Sequence, residues 1–126
     1  MRIASIDHIV LTVANLQRTL DFYVRVLGMR EIDFSSGRKA LAFGSQKINL
    51  HVKGEEILPN AMNANVGTAD ICLLMDTPLE LVLEELEAAG IAVEQGVVPR
   101  TGALGAISSI YVRDPDGNLI EISRYV

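Results

Sequence analysis

Apolar residues along the first half of the chain follow first the spacing of a strand and then the spacing of a helix. Residues 6–13 are rich in β-branched side chains and predict a buried strand. Apolar residues then recur three and four positions apart over about 16–27, and Gly28 is placed to end that helix. Three short strands follow, predicted near 30–34, 39–43 and 47–52, with glycine-containing turns between them.

The second half of the chain repeats this order of elements. A shift of 62 positions carries His8, which opens the first strand, onto Asp70, which opens a second apolar run. The same shift matches the expected helix caps and helix ends, Asn15 with Thr77 and Gly28 with Gly90. One βαβββ unit present twice explains this register, whereas two copies with a period near 60 are too few and too long for a solenoid.

The second unit adds its own local signals. Thr77 as cap, Pro78 at the first helical position and Glu80 at the third form a capping box. A strand around 91–94, a loop with the sequence VPRTGALGAI and a hairpin across DPDGN complete the unit. The closing strands match at a shift of 70, from His51 to Glu121, which places eight extra residues in that loop.

Four side chains able to bind a metal occupy matching strand positions in the two units: His8, His51, Asp70 and Glu121. Because side chains alternate between the faces of a strand, their aliphatic neighbours lie under the helices and these four lie on the opposite face. We call this the helix-free face. Two imidazoles and two carboxylates suit the octahedral coordination of a divalent metal ion, so the sequence predicts a metal site there.

Composition limits the classes of partner and location. The net charge of −5 and the pI near 4.9 argue against nucleic acid, since no basic stripe is present. The sequence contains no stretch of about 18 apolar residues, so we expect no membrane span. The first residues lack the pattern of a signal peptide. Cys72 is the single cysteine, which excludes an intrachain disulfide and fits the cytoplasm. We expect its thiol to be buried and inert.

At these residues the chain resembles the vicinal-oxygen-chelate superfamily, which includes glyoxalase I, extradiol dioxygenases and bleomycin-binding proteins. The markers are DHIVLTV, TLDFYVRVLGM, KALAFGSQKINLH and IYVRDPDGNLIEI, and together they cover essentially the whole chain. The last two, with VPRTGALG, are most similar to the glyoxalase domain-containing protein 5 type. The resemblance implies a single α+β domain of two tandem βαβββ modules with cup-shaped curved sheets. Module 1 would span about 1–53, the linker about 54–68 and module 2 about 69–126.

The resemblance also implies roles for single residues. His8 matches a first-strand histidine ligand, and Glu121 matches a last-strand glutamate that in glyoxalase I also moves the proton. His51 stands where glyoxalase I has a glutamate ligand, and Asp70 where most branches have a histidine. Two further residues are candidates for the substrate pocket: Tyr111, which has the parity of Glu121, and Arg100, which is suited to hold a substrate anion.

Three functions stay open at this point. The first is a glyoxalase-I-like lyase or isomerase with Ni, Zn, Co or Mn, acting on a hemithioacetal or hydroxy-carbonyl through an enediolate. Glu121 would be its base and Asp70 the alternative base. The second is an extradiol ring-cleaving dioxygenase with Fe, in which His51 or Asp70 would not bind the metal. The third is a metal-free binding or resistance module for a small molecule.

The resemblance finally implies a homodimer. One unit carries only two candidate ligands, either His8 with His51 or Asp70 with Glu121, so a complete site needs two units facing each other. Superfamily members of this length pair a module of one chain with a module of the other. We therefore expect a symmetric dimer with two sites shared between the chains.

Overall fold

The computed structural model describes residues 1–126 and divides them into two compact units, Met1–Gly67 and Thr68–Val126. Each unit is a four-stranded mixed sheet with one helical segment between its first and second strands. The predicted α+β fold of two βαβββ modules is therefore confirmed. The segment predicted as a linker, residues 54–68, lies almost entirely within the first unit. None of the helices combines the length and the apolar character that a membrane span requires.

The first unit has the sheet order β1-β4-β3-β2, in which β1 runs parallel to β4 and the other pairs are antiparallel. Its elements are β1 (His8–Val13), α1 (Leu16–Leu20), a π-helix (Asp21–Val26), β2 (Arg30–Phe34), β3 (Arg38–Phe43) and β4 (Gln46–Val52). Apolar side chains on one face of the sheet and on the helical segment form its core, among them Leu11, Val13, Leu20, Tyr23 and Ile48.

The single helix predicted over 16–27 is present as two helical types. After α1, the chain widens into the π-helix, where the N–H of Leu27 donates to the carbonyl of Phe22 at 3.1 Å. The apolar spacing that predicts a helix is similar for both types, so the sequence gives no signal for the change. Gly28 ends the segment with a positive φ of 77°, as predicted.

The second unit has the same arrangement, with the order β5-β8-β7-β6 and β5 parallel to β8. Its elements are β5 (Asp70–Leu74), α2 (Leu79–Ala88), β6 (Gln95–Gly102), β7 (Gly105–Arg113) and β8 (Leu119–Tyr125). The α2 side chains Leu79, Val82 and Leu86 are buried, so one apolar face of that helix belongs to the core of the unit.

The hairpin of β6 with β7 corrects two predictions. Residues 91–94 are not a strand. Strand β6 begins at Gln95 and includes the first half of the predicted loop VPRTGALGAI, and β7 includes its last three residues. Pro99 and the nearby glycines argue against a strand in the sequence, but β6 is an edge strand, where proline is tolerated. The extra residues of the second half therefore lengthen this hairpin instead of forming a loop.

The turn between β7 and β8 fixes the start of the closing strand. Asp114 Oδ1 accepts hydrogen bonds from the backbone N–H groups of Asp116 and Asn118, both at 2.9 Å. The buried Asn118 side chain in turn accepts from the N–H of Ala69 at 2.8 Å. The N–H of Leu119 donates to the carbonyl of Ala69. The DPDGN turn thus sets the register between β8 and β5.

The two predicted helix caps differ. Asn15 caps α1, and its Oδ1 accepts from the N–H of Arg18 at 3.0 Å, as predicted. Thr77 does not cap α2, because the helix begins one residue later than expected, at Leu79, and Pro78 takes the cap position without a side-chain hydrogen bond. Proline is compatible with this cap position because its fixed φ suits the start of a helix, although its side chain makes no capping hydrogen bond.

We predict that Asn15→Ala lowers the free energy of unfolding by about 1 kcal/mol, because it removes the capping hydrogen bond. Urea denaturation measures this change, and Asn15→Ser should retain most of the stability. Thr77→Ala is the matched control and should change the free energy of unfolding by less than about 0.5 kcal/mol. An equal loss in both variants would contradict the cap assignment.

Candidate metal centre

The strand register of the first unit confirms which side chains share a face. We call two residues level when they are register partners on neighbouring strands. In the parallel pairing of β1 with β4, His8 is level with Lys47, and Thr12 is level with His51. Side chains that are level across paired strands point to the same side of the sheet. His8 and His51 therefore both lie on the helix-free face, as predicted.

The same register corrects the matching of the two units. Asp70 is level with Leu119 in the second unit, as His8 is level with Lys47 in the first, so β4 matches β8 at a shift of 72. The counterpart of Glu121 is then Asn49, whereas the sequence-based shift of 70 assigned His51. The error arises because hydrophobic alternation is unchanged by a slip of two residues.

His51 lies well away from the level of His8. It is four residues further along β4 than Lys47, which corresponds to about 13 Å along the strands. Asn49 is only two residues beyond that level, as Glu121 is two residues beyond the level of Asp70. By position, His8 and Asn49 correspond to Asp70 and Glu121.

His8 is the first residue of β1, and its side chain is 42% exposed. Its Nδ1 is 2.7 Å from Oδ2 of Asp7, the residue before the strand. A carboxylate on one ring nitrogen fixes the tautomer that leaves the other nitrogen, Nε2, able to bind a metal. His8 therefore has the environment of a metal-binding histidine.

Two buried polar side chains of the same face have atoms without partners. His51 and Asn49 are each 5% exposed. The two ring nitrogens of His51 have no hydrogen-bond partner in the protein, and the Oδ1 of Asn49 has none either. Such atoms cost about 1 to 3 kcal/mol each when they stay unsatisfied, so both side chains are suited to bind a ligand.

The second unit holds Glu121 in a network of hydroxyl groups. Glu121 Oε2 accepts from Ser109 Oγ at 2.6 Å and from Ser123 Oγ at 3.3 Å. The two serine hydroxyls are 2.7 Å apart, and both residues are fully buried. Both hydrogen bonds reach the same oxygen, so Oε1 stays available to a metal ion or a proton. Asp70 is exposed at the start of β5.

Cys72 is exposed, contrary to the expectation of a buried thiol. It lies two residues after Asp70 on the same face and is level with Glu121. Its Sγ donates to Ser123 Oγ at 3.3 Å. Partial burial raises the pKa of the thiol, and the carboxylates of Glu121 and Asp70 add to that rise. The thiol is therefore mostly protonated at neutral pH, which keeps its reactivity low.

The two predicted pocket residues contact each other. Arg100 Nε donates to Tyr111 Oη at 2.9 Å, and the guanidinium lies 5.4 Å from the centre of the Tyr111 ring. Arg100 is on strand β6 and not on a loop as predicted, because the hairpin is longer than expected. Tyr111 is level with Glu121 across β7 and β8, which confirms that they share a face.

Sequence reasoning missed three residues of these faces. Asn49, Ser109 and Ser123 have the same strand parity as the predicted ligands, which is the signal that would have included them. Within the chain, no three His, Cys, Asp or Glu side chains converge into a metal-binding group. A groove on the opposite side of the second unit, lined by residues such as Leu79, Leu83 and Arg124, contains none of the candidates.

The donor set of each unit suits a divalent metal ion. The first unit offers the imidazole of His8 and the unpartnered Oδ1 of Asn49. The second unit offers the carboxylates of Asp70 and Glu121 on the corresponding strands. Imidazole nitrogen and amide or carboxylate oxygen are donors that Mn²⁺, Zn²⁺, Ni²⁺ and Co²⁺ accept.

The chain belongs to the glyoxalase/bleomycin resistance protein/dioxygenase superfamily, whose family model matches residues 5–122. It is 52% identical to the virulence protein STM3117 of Salmonella typhimurium over 126 residues, which is all of this chain and 88% of that protein. The crystal structure of STM3117 superposes with a TM-score of 0.98, with 100% of both chains covered.

A second relative is also similar over almost the whole chain. The glyoxalase domain-containing protein RDO1 of Mycosarcoma maydis is 50% identical over 125 residues, which is 99% of this chain and 70% of that protein. Its name agrees with the superfamily and does not specify a reaction.

Two more distant structures show the fold alone. The lactoylglutathione lyase of Agrobacterium tumefaciens is 24% identical with a TM-score of 0.75, covering 98% of this chain and 96% of that one. TnmS3, an antibiotic binding protein from a Streptomyces species, is 19% identical with a TM-score of 0.78, covering 100% and 99%. The fold therefore occurs both in a lyase and in a binding protein.

Proposed function

We propose that this protein is a metal-dependent lyase or isomerase acting on a small molecule with two adjacent oxygen atoms. The observation that carries the proposal is the match of four donor positions between the units: His8 and Asn49 in one, Asp70 and Glu121 in the other. Each is a side chain able to bind a metal ion, and each lies on the helix-free face. Two matched pairs of such side chains favour a metal site over a module that binds no metal.

The ion would be held by His8, Asp70 and Glu121, with the Oδ1 of Asn49 at the fourth position. His8 is prepared for this by Asp7, which holds the other ring nitrogen. The proposal leaves His51 out of the ligand set because of its offset of about 13 Å along the strands.

A divalent ion at these residues would polarise the two substrate oxygens and acidify the neighbouring C–H group. Glu121 is then the residue that takes the proton and returns it to the adjacent carbon. Ser109 and Ser123 hold one of its oxygens, which fixes the orientation of the other. Asp70 is the alternative base. Tyr111, level with Glu121, and its partner Arg100 border the same face.

The ring-cleaving dioxygenase is less well supported by the geometry. It needs two imidazoles and one carboxylate on iron, and the second histidine, His51, is not at a ligand position by register. The metal-free binding module stays the alternative from another class. TnmS3, which shares the fold at 19% identity, is an antibiotic binding protein.

We also propose that the protein acts as a homodimer. Each unit supplies two of the four donor positions, so one complete site uses one first unit and one second unit. In a symmetric dimer, the first unit of one chain would face the second unit of the other, giving two shared sites.

We predict that His8→Ala loses stoichiometric metal, because one of four protein ligands is removed. Elemental analysis of protein purified without added metal should give less than about a tenth of the wild-type metal content. His51→Ala is the matched control and should keep its metal. The ligand assignment is wrong if His8→Ala stays fully loaded, or if His51→Ala loses as much metal.

A second prediction separates the two kinds of chemistry. Proton transfer involves no change of redox state, so turnover should persist at the wild-type rate when oxygen is excluded, and it should remain measurable when zinc replaces the native metal. Catechols and hemithioacetals are suitable probes, with oxygen consumption measured by electrode. Oxygen uptake with a catechol would overturn the proposed lyase in favour of the dioxygenase.

The shared sites predict complementation between two inactive variants, His8→Ala and Glu121→Ala. In a mixed dimer, one site contains both substitutions and the other site contains neither. Refolding an equal mixture gives this heterodimer about half of the time, so about a quarter of wild-type sites should return. Metal content and activity measure the recovery. Verified heterodimers with no recovery would contradict sharing between chains.

A further inference from the structure

The strands of the first unit separate their charges between the two faces of the sheet. On the helix-free face, strands β1 to β4 carry three cations, Arg30, Arg38 and Lys47, and no carboxylate. The carboxylates of β2 lie on the opposite face, where Glu31 and Asp33 both pair with Lys39. In a chain of net charge −5, one face of this unit is therefore cationic.

Two of these cations meet over one aromatic ring. Lys47 Nζ lies 3.9 Å from the centre of the Phe34 ring, and the Arg38 guanidinium carbon lies 4.8 Å from it. Neither cation takes part in an ion pair. Holding two like charges over one ring without a counter-charge raises the local positive potential. An anion bound there would supply the counter-charge.

By register, His51 lies next to the Arg38 member of this cluster. Lys47 begins four residues earlier on β4, but its Nζ lies over the ring of Phe34, and Phe34 is level with Arg38. Ala40 is level with Asn49 across β3 and β4, and continuing that register places Arg38 level with His51. His51 is buried, with 5% of its surface exposed, and neither of its ring nitrogens has a hydrogen-bond partner. Nearby Glu56, after β4, has its carboxylate bonded to the N–H of Gly54 at 3.0 Å and not to His51.

We propose that His51, Arg38 and Lys47 form a subsite for a carboxylate group of the substrate. The His51 ring donates a hydrogen bond to the carboxylate, and the two cations supply the opposing charge. Phe34 fixes the position of both cations. This inference rests on the proposed function for the reacting end of the substrate and narrows its substrate class to small organic acids with adjacent oxygens.

The test uses the metal-free, full-length protein and a matched pair of probes, glycolate and ethylene glycol. Both carry two adjacent oxygen-bearing carbons, but only glycolate carries a carboxylate. In protein labelled with ¹⁵N-histidine, glycolate should shift the ring resonances of His51 along a saturable curve and leave those of His8 almost unchanged. Ethylene glycol should produce no saturable shift over the same concentrations. A missing response to glycolate, or an equal response to both probes, would overturn the subsite.

Charge variants identify the residues that bind the carboxylate. Arg38→Gln and Lys47→Gln should each raise the dissociation constant of glycolate at least about tenfold, and Lys47→Arg should keep it within about threefold. Lys39→Gln, on the opposite face, is the control and should leave it unchanged. Weakening by Lys39→Gln equal to that by Lys47→Gln would show a general charge effect and refute the proposal. Unfolding midpoints verify that each variant is folded.

The two proposals can fail separately. Because the binding experiment contains no metal, glycolate binding should survive in His8→Ala, which lacks the proposed metal ligand. Loss of metal binding without loss of glycolate binding would refute the ligand set alone. Glycolate binding absent from a protein that holds its metal normally would refute the carboxylate subsite alone.

Discussion

The parallel pairing of the first strand of each unit with its last strand is the constraint on which the rest depends. In β1 with β4 and in β5 with β8, the register decides which side chains are level and which share the helix-free face. A slip of one residue would turn His8 or Asp70 toward the core. In the second unit, the DPDGN turn holds this register through Asp114, Asn118 and Ala69.

Strand parity was readable from the sequence, whereas the register was not. Alternation of apolar residues placed all four predicted ligands on the correct face, because burying aliphatic side chains under the helices determines parity. A slip of two residues preserves that alternation, so the sequence matched His51 with Glu121 where the pairing matches Asn49. Edge strand β6 was missed for a related reason, since Pro99 suggests a loop although an edge strand tolerates it.

The corrected register separates two tasks that the sequence had assigned to one group of residues. His8, Asn49, Asp70 and Glu121 occupy equivalent positions and suit a metal ion. His51 lies further along the same face, level with Arg38, and we have proposed that it binds a carboxylate together with Arg38 and the side chain of Lys47. The proposed carboxylate subsite would give a partner to the two unpartnered nitrogens of this buried imidazole. Unsatisfied polar atoms cost stability, and a protein retains them where a ligand satisfies them.

The central claim is that one histidine, and only one, binds the metal ion. Pulsed electron paramagnetic resonance of the Mn²⁺-loaded protein, labelled with ¹⁵N-histidine, counts the imidazoles bound to the ion. The account predicts nuclear coupling from a single imidazole, which is lost in His8→Ala and retained in His51→Ala. Coupling from two imidazoles, or coupling that disappears in His51→Ala, would contradict it.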